Sequence, residues 1–130
     1  MKVSRSTSYA ILALAYFAKH PGKGLILSND ISDKYKIPLE YLLKILQQLV
    51  KVRVLRSKRG PRGGFKLARS LKKVSILEVV EAVEGPMLSN LEVVELAPRE
   101  KFGAKAEAVF NKALAQAKKV LAQTKIADIL

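Results

Sequence analysis

The chain has 130 residues, 49% of them hydrophobic, and carries 24 Lys and Arg against 11 Asp and Glu for a formal charge of +13. That length allows one core, or one small core with a helical extension, and crowds out two full domains. The charge favours a polyanionic partner, and the complete absence of cysteine excludes structural disulfides and thiolate metal sites while agreeing with a cytoplasmic location.

The opening MKVSRSTSYAILALAYFAKH has a charged start before apolar residues but does not read as a secretory signal. Its apolar part is short, Tyr9, Tyr16 and Phe17 recur at helical spacing, and no small-residue cleavage site precedes His20-Pro21. A first helix is expected from a cap at Ser6 or Thr7 to about Lys19, with Ala10, Leu14 and Phe17 inward and Ile11, Leu12 and Ala15 widening the stripe. The only histidine, His20, reads as a solvated loop residue, and Pro21-Gly22-Lys23-Gly24 stops the helix. No run approaches the ~18 apolar residues of a membrane span, so no membrane partner is expected. Leu25-Ile26-Leu27 suits a short strand or an extended link. Ser28 is expected to cap a second helix, with Asn29, Asp30 and Asp33 near its positive end and Ile31 and Tyr35 facing the core. Lys36-Ile37-Pro38 then makes the turn, because the residue before proline avoids the α region.

A third helix begins at Pro38 as a first-turn residue, with Leu39, Leu42, Leu43, Leu46, Leu49 and Val50 on its apolar face. Glu40, Tyr41, Lys44, Gln47, Gln48 and Lys51 form the opposite face, long polar side chains able to reach base edges or phosphates. The period then changes to two, with Val52, Val54 and Arg56 alternating with Arg53 and Leu55. After the basic, Gly/Pro-rich KRGPRGG, Phe65-Lys66-Leu67 resumes it. Two strands joined by such a loop make a hairpin, and helix, turn, helix, hairpin is the order of a winged helix-turn-helix. From Lys51 to Lys73 ten basic residues occur with no acid among them, whereas an ordinary solvated surface mixes the signs.

Ser75 with Glu78 has the form of a capping box for a fourth helix through Val79, Val80 and Val83, ended by Gly85-Pro86 and expected to pack back on the winged domain. Met87 to Pro98 reads as a linker with a short turn of helix or strand. Beyond it, Phe102, Ala106, Val109, Phe110, Ala113, Leu114, Ala117, Val120 and Leu121 give a long helix one continuous apolar stripe. Gly103 near its start favours a helix beginning after Pro98, and Thr124 with IADIL reads as a break and a last docking turn. A stripe of this length suits a contact with the same helix of a second copy; the alternative is that it folds onto its own domain. The expected organisation is a DNA-binding domain over 1–85, a linker over 86–98 and a dimerisation helix over 99–130. The fold class is mainly α with a small β-hairpin.

The run LSNDISDKYKIPLEYLLKILQQLVKVRVLRSKRGPRGGFKLAR, followed by SILEVVEAVEG, resembles the Rrf family of winged-helix transcriptional regulators, from about Ser8 to Gly85 and again weakly in TKIADIL. The most specific mark is Arg59-Gly60-Pro61-Arg62-Gly63-Gly64-Phe65, where the family usually shows RGxxGGY or RGxxGGF. The resemblance implies a dimeric repressor or activator, with repressor the first expectation, whose long helix crosses to the partner subunit. It implies Arg59 in a minor groove and Glu40, Tyr41 and Lys44 near bases and phosphates. The expected DNA-binding set is Ser28, Glu40, Tyr41, Lys44, Gln47, Gln48, Lys58, Arg59, Gly60, Arg62, Gly63 and Gly64. Lys44 suits guanine O6/N7 and Glu40 cytosine N4, unless the two, four residues apart, pair with each other. Glycines at 60, 63 and 64 would admit backbone close to the sugar-phosphate chain.

Sensors of that family hold an iron–sulfur cluster on cysteines between the fourth helix and the long one, where this chain has MLSNLEVVELAPREKFGAKAE. No cofactor is therefore expected. Glu92, Glu95 and Glu100 read as an exposed face rather than a hard-cation site. The regulatory input stays open: a small molecule, a protein partner, or none. The leading function is a sequence-specific regulator binding double-stranded DNA as a homodimer on a pseudo-palindromic operator. The alternative is a basic protein that packages nucleic acid, or associates with RNA, without sequence preference. An enzyme is not expected, since no nucleophile–His–acid set or phosphate-cradling loop occurs.

Overall fold

Among residues 3–60 and 64–130, which the computed structural model describes, six α-helices and one antiparallel hairpin follow in the expected order. The first helix, α1 (Arg5–Lys19), starts two residues ahead of expectation because Ser4, not Ser6 or Thr7, caps it by accepting from the Ser6 N–H. What fixes Ser4 there lies far along the chain. The Glu84 carboxylate accepts from the Ser4 N–H, from the Ser4 hydroxyl at 2.7 Å and from the Thr7 hydroxyl at 2.8 Å, placing an anion at the positive end of α1. At the other end His20 is not a solvated loop residue. Its Nδ1 lies 2.8 Å from the Tyr16 carbonyl oxygen and its ring stacks on the Tyr16 ring.

Helix α2 (Ser28–Tyr35) includes Ser28 as its first residue, so Leu27 occupies the cap and the expected Ser28 cap does not form. It ends on Lys36 in the left-handed conformation, with the Ile37 N–H reaching back to the Ser32 carbonyl. Pro38 sits at the N-cap of α3 (Leu39–Lys51), one position before its expected place. The same left-handed ending recurs after α3. Arg53 has φ +61°, its N–H bonds the Val50 carbonyl and the Val54 N–H bonds the Leu49 carbonyl, so Val54 is driven into the core as the plug of a Schellman turn. Hence the strand does not start at Val52. β1 runs Leu55–Lys58, pairs with β2 (Gly64–Leu67), and the adjacent Val54 and Leu55 are both buried, breaking the expected alternation.

The core is made by Ala10, Leu14 and Phe17 of α1, Ile31 of α2, and Leu42, Ile45, Leu46 and Leu49 of α3, with Val54, Leu55, Phe65 and Val79 closing it. The expected apolar face of α3 omits Ile45; Leu39 and Leu43 stay partly exposed instead, so the buried stripe is rotated toward Ile45. Ile26 bridges Phe65, each N–H bonding the other's carbonyl at 2.8 Å, which pins the hairpin to the chain between α1 and α2. The capping box forms as expected on α4 (Ile76–Glu84), which packs on α1 and α3. A short α5 (Val93–Leu96) lies against α6 (Phe102–Gln123). Gly103 is buried there, and a Cβ on it would stand 3.3 Å from Val93 and Val94 atoms. After α6 the tail returns: Ile126 is fully buried, and the Ile76 and Ile126 amides bond the Thr124 and Val74 carbonyls.

Candidate nucleic-acid interface

Helix α3 divides its side chains cleanly because Leu42, Ile45, Leu46 and Leu49 take the inner face. Glu40, Lys44, Gln47 and Lys51 recur every three or four residues on the outer face and are exposed, with Gln48 half-buried beside them. Glu40 and Lys44 do not satisfy each other: the ion pairs among the described residues are Lys23–Asp30 and Arg69–Glu78. Neither charge has an ion-pair partner among the described residues. Tyr41 is 50% exposed but its ring meets that of Tyr9 edge-on at 5.7 Å, so one side of it is spent on α1. Ser28 is half-buried at the start of α2.

The hairpin is two-faced. Leu55 and Phe65 are buried, while Arg56, Lys58 and Lys66 are exposed. Arg56 stands directly opposite Lys66 in the ladder, a like-charge pair that destabilises a free hairpin and is relieved by a polyanion laid across it. Lys58, Arg59 and Gly60 at its tip are exposed; Arg62 and Gly63 lie outside the described residues. Gly64 has a purpose of its own. With φ +154°, the space a Cβ would need is taken by the Ile26 carbonyl oxygen at 2.8 Å, so this glycine serves the seating of the hairpin on the protein.

Sequence reasoning missed Arg69, counted only as one of ten basic residues. Its guanidinium donates to the Arg53 and Val52 carbonyls at 3.2 and 3.4 Å and to Glu78 at 3.1 Å. Burial works to raise the Glu78 carboxyl pKa, but the Ser75 N–H, the Arg69 guanidinium and the Ser75 hydroxyl together hold it below the ordinary glutamate value.

On α6, Phe102, Val109, Phe110 and Val120 are more than half exposed. Ala113 is exposed, and Ala106, Leu114, Ala117 and Leu121 are half-buried, so the expected stripe is present and largely uncovered. Leu88 and Leu91 with Phe110, Leu114 and Ala117 line a cleft of about 580 Å³ along it.

A helix-turn-helix whose outer helix is polar, followed by a basic-faced hairpin, defines a winged helix-turn-helix protein. The chain belongs to the Rrf2 family: the family model, described as an iron-dependent transcriptional regulator, matches residues 3–130. It is 36% identical over 84 residues to a putative HTH-type transcriptional regulator, BadM, of Rhodopseudomonas palustris, a match covering 65% of this chain and 53% of that protein. To the HTH-type transcriptional regulator NsrR of Shouchella clausii it is 29% identical over 136 residues, covering all of this chain and 89% of the relative. The chain spans about half the length of the first curated relatives it matches. In fold it is similar to the global cysteine regulator CymR of B. subtilis, with a TM-score of 0.77 at 24% identity over 99% of this chain and 95% of that one. The IscR of T. potens gives 0.73 at 24% identity, over 99% and 85%.

The donor set does not fit the family's iron. Without cysteine no thiolate can hold a cluster. Between α4 and α6, Glu92, Glu95 and Glu100 are exposed, and among the described residues no three His, Cys, Asp or Glu come together. No helix among them is long and apolar enough to cross a membrane.

Proposed function

We propose that this protein is a sequence-specific, DNA-binding transcriptional regulator that acts as a homodimer on a pseudo-palindromic operator and represses from it. The observation that carries the reading is Glu40, exposed in the first turn of α3 on an otherwise basic or neutral outer face. A carboxylate facing phosphates weakens binding to every duplex, so a protein that only packaged nucleic acid would gain nothing from it. A reader of cytosine N4 gains selectivity. In this reading α3 enters the major groove, Lys44 donates to guanine, and Gln47, Gln48 and Lys51 reach bases or phosphates farther along. Lys58, Arg59 and Gly60 carry the wing into the adjacent minor groove, where a narrow width concentrates negative potential on Arg59.

The uncovered stripe of α6 supports the dimer: residues 99–130 would bring two DNA-binding units of 1–85 together, with half-sites about one helical turn, ~10 bp, or a multiple apart. The regulatory input would be a small molecule, a protein partner or none, rather than a thiolate-held cluster.

Selection of bound duplexes from a random pool at near-physiological salt tests this. An enriched two-fold-symmetric motif is expected, with Arg59→Ala weakening the selected site much more than random DNA. No enrichment, with steep salt dependence retained, would move the protein to the packaging class.

A further inference from the structure

The base-reading face of α3 can select sequence only if the helix is held at a fixed tilt, and one side chain outside that face stands at the point where the tilt is set. We infer that Arg69 is a positioning residue for DNA readout, clamping the C-terminal end of α3 and the foot of the hairpin to α4. The inference rests on the reading of α3 as the DNA reader.

The geometry is specific. The left-handed turn at Arg53 leaves the Val52 and Arg53 carbonyls pointing away from the helix, and Arg69 donates to both, through Nη2 at 3.4 Å and Nε at 3.2 Å. Arg69 itself follows β2 by two residues, and the Ala68 N–H bonds the Val54 carbonyl at 2.9 Å, so the guanidinium lies where the hairpin closes. Nη2 also meets Glu78 Oε1 at 3.1 Å. The other Glu78 oxygen accepts from the Ser75 N–H at 2.9 Å, completing the capping box, and Ser75 bridges Lys125 in the returning tail. One planar fork therefore joins the end of α3, the end of the hairpin and the start of α4. Glu78 and Ser75 carry the connection on to the chain that follows α6. Lysine, a single point charge, cannot reproduce that fork.

Two observations separate Arg69 from the basic residues around it. Its side chain is 33% exposed and its Nε and Nη2 donate within the protein, Nη2 to a carboxylate, whereas Arg56, Lys58 and Arg59 are exposed and meet no acid among the described residues. An ion pair this accessible adds little to stability, so its value is geometric. At about 1.5 Å per residue, the 13 residues of α3 span about 20 Å, and a tilt of about 5° at the Arg53 end displaces the Glu40 end by about 1.7 Å. Direct base contacts tolerate roughly 0.5 Å.

The test compares affinity for the selected operator and for a scrambled duplex of equal length, at one salt concentration, in wild type, Arg69→Gln, Arg69→Lys, Glu78→Gln and the Arg69→Gln/Glu78→Gln double variant. Arg69→Gln and Glu78→Gln are each expected to lower the operator-to-scrambled ratio about five- to tenfold. The double variant should be no worse than the stronger single, because both break one clamp. Arg69→Lys should recover only part. Glu78→Gln decides the matter: glutamine keeps the capping box and removes a negative charge. If Arg69 were a DNA contact, releasing it would tighten binding to both duplexes. That result, equal losses on both, or an unchanged ratio would each overturn the inference. Should Arg69→Gln lower the urea midpoint, Arg69→Lys and Glu78→Gln carry the comparison. Wild-type protein that fails to distinguish the two duplexes would instead sink the function proposed above.

Discussion

Replacing Gly64 by alanine tests why the hairpin needs a glycine at that position. The added methyl would stand 2.8 Å from the Ile26 carbonyl oxygen, 3.2 Å from its carbon and 3.3 Å from the Leu25 Cβ, and the backbone is already at φ +154°. Two of those neighbours are backbone, so the strand itself must shift, and what holds it there is the pair of Ile26–Phe65 hydrogen bonds, each 2.8 Å. Losing both costs about 1 kcal/mol apiece, and backbone strain on a non-glycine residue adds about 1 kcal/mol or more, so a loss near 3 kcal/mol is expected. Against a total stability of about 5–15 kcal/mol, that is a large fraction. Urea unfolding followed by circular dichroism measures it, with hydrogen exchange at the Phe65 amide as the local probe. Gly60→Ala is the control, because Gly60 has φ +111° but, among the described residues, nothing within 4 Å of where its methyl would stand; it should cost only about 1 kcal/mol. Equal losses at the two positions, or a Gly64→Ala change within about 0.5 kcal/mol of zero, would refute the packing argument.

Acid should loosen the contact between α1 and α4. Burial works to raise the Glu84 pKa, but the bonds from Ser4 and Thr7 outweigh it and leave the carboxyl below its ordinary value. A depressed carboxyl stabilises the fold above the unfolded-state pKa and loses that contribution as pH falls through the folded-state value, so wild type should weaken at the acid end and Glu84→Gln should show a flatter acid limb. A parallel limb in both proteins would remove Glu84 from the account. Phe110→Asp, at a side chain 56% exposed, should leave the monomer fold intact and weaken self-association at least about thirtyfold by sedimentation; a dimer surviving unchanged would place the contact elsewhere. Ser75→Ala should lower stability by about 1 kcal/mol through the lost capping box, read as a shifted urea midpoint at constant slope.

What the sequence disclosed was decided locally. α3 was legible to within a residue because Pro38 and six apolar positions mark it, and the capping box on α4 is written in Ser75 and Glu78. The misplacements share a cause in long-range partners. Ser4 outcompetes Ser6 and Thr7 as a cap because Glu84, 80 residues away, receives it. The hairpin starts late because the left-handed Arg53 spends Val54 as a plug, which no alternation rule anticipates for a non-glycine residue. Of the interface, the outer face of α3 could be read from helical spacing alone. Arg69 could not, since within a basic run nothing marks the one residue that bonds inward; the only trace was Glu78, the first acid after it.

The tail that brings Ile126 back into the core has a consequence for association. Gly103 is wedged on α5 at one end of the α6 rod, and at the other the Thr124 and Ile126 bonds fasten it to its own body, with α4 packed against it. A surface presented this way is preorganised: whatever covers it immobilises side chains but no backbone, so the entropic penalty of docking has already been met during folding. Encounter rates for such a face should follow diffusion and orientation rather than a slow ordering step.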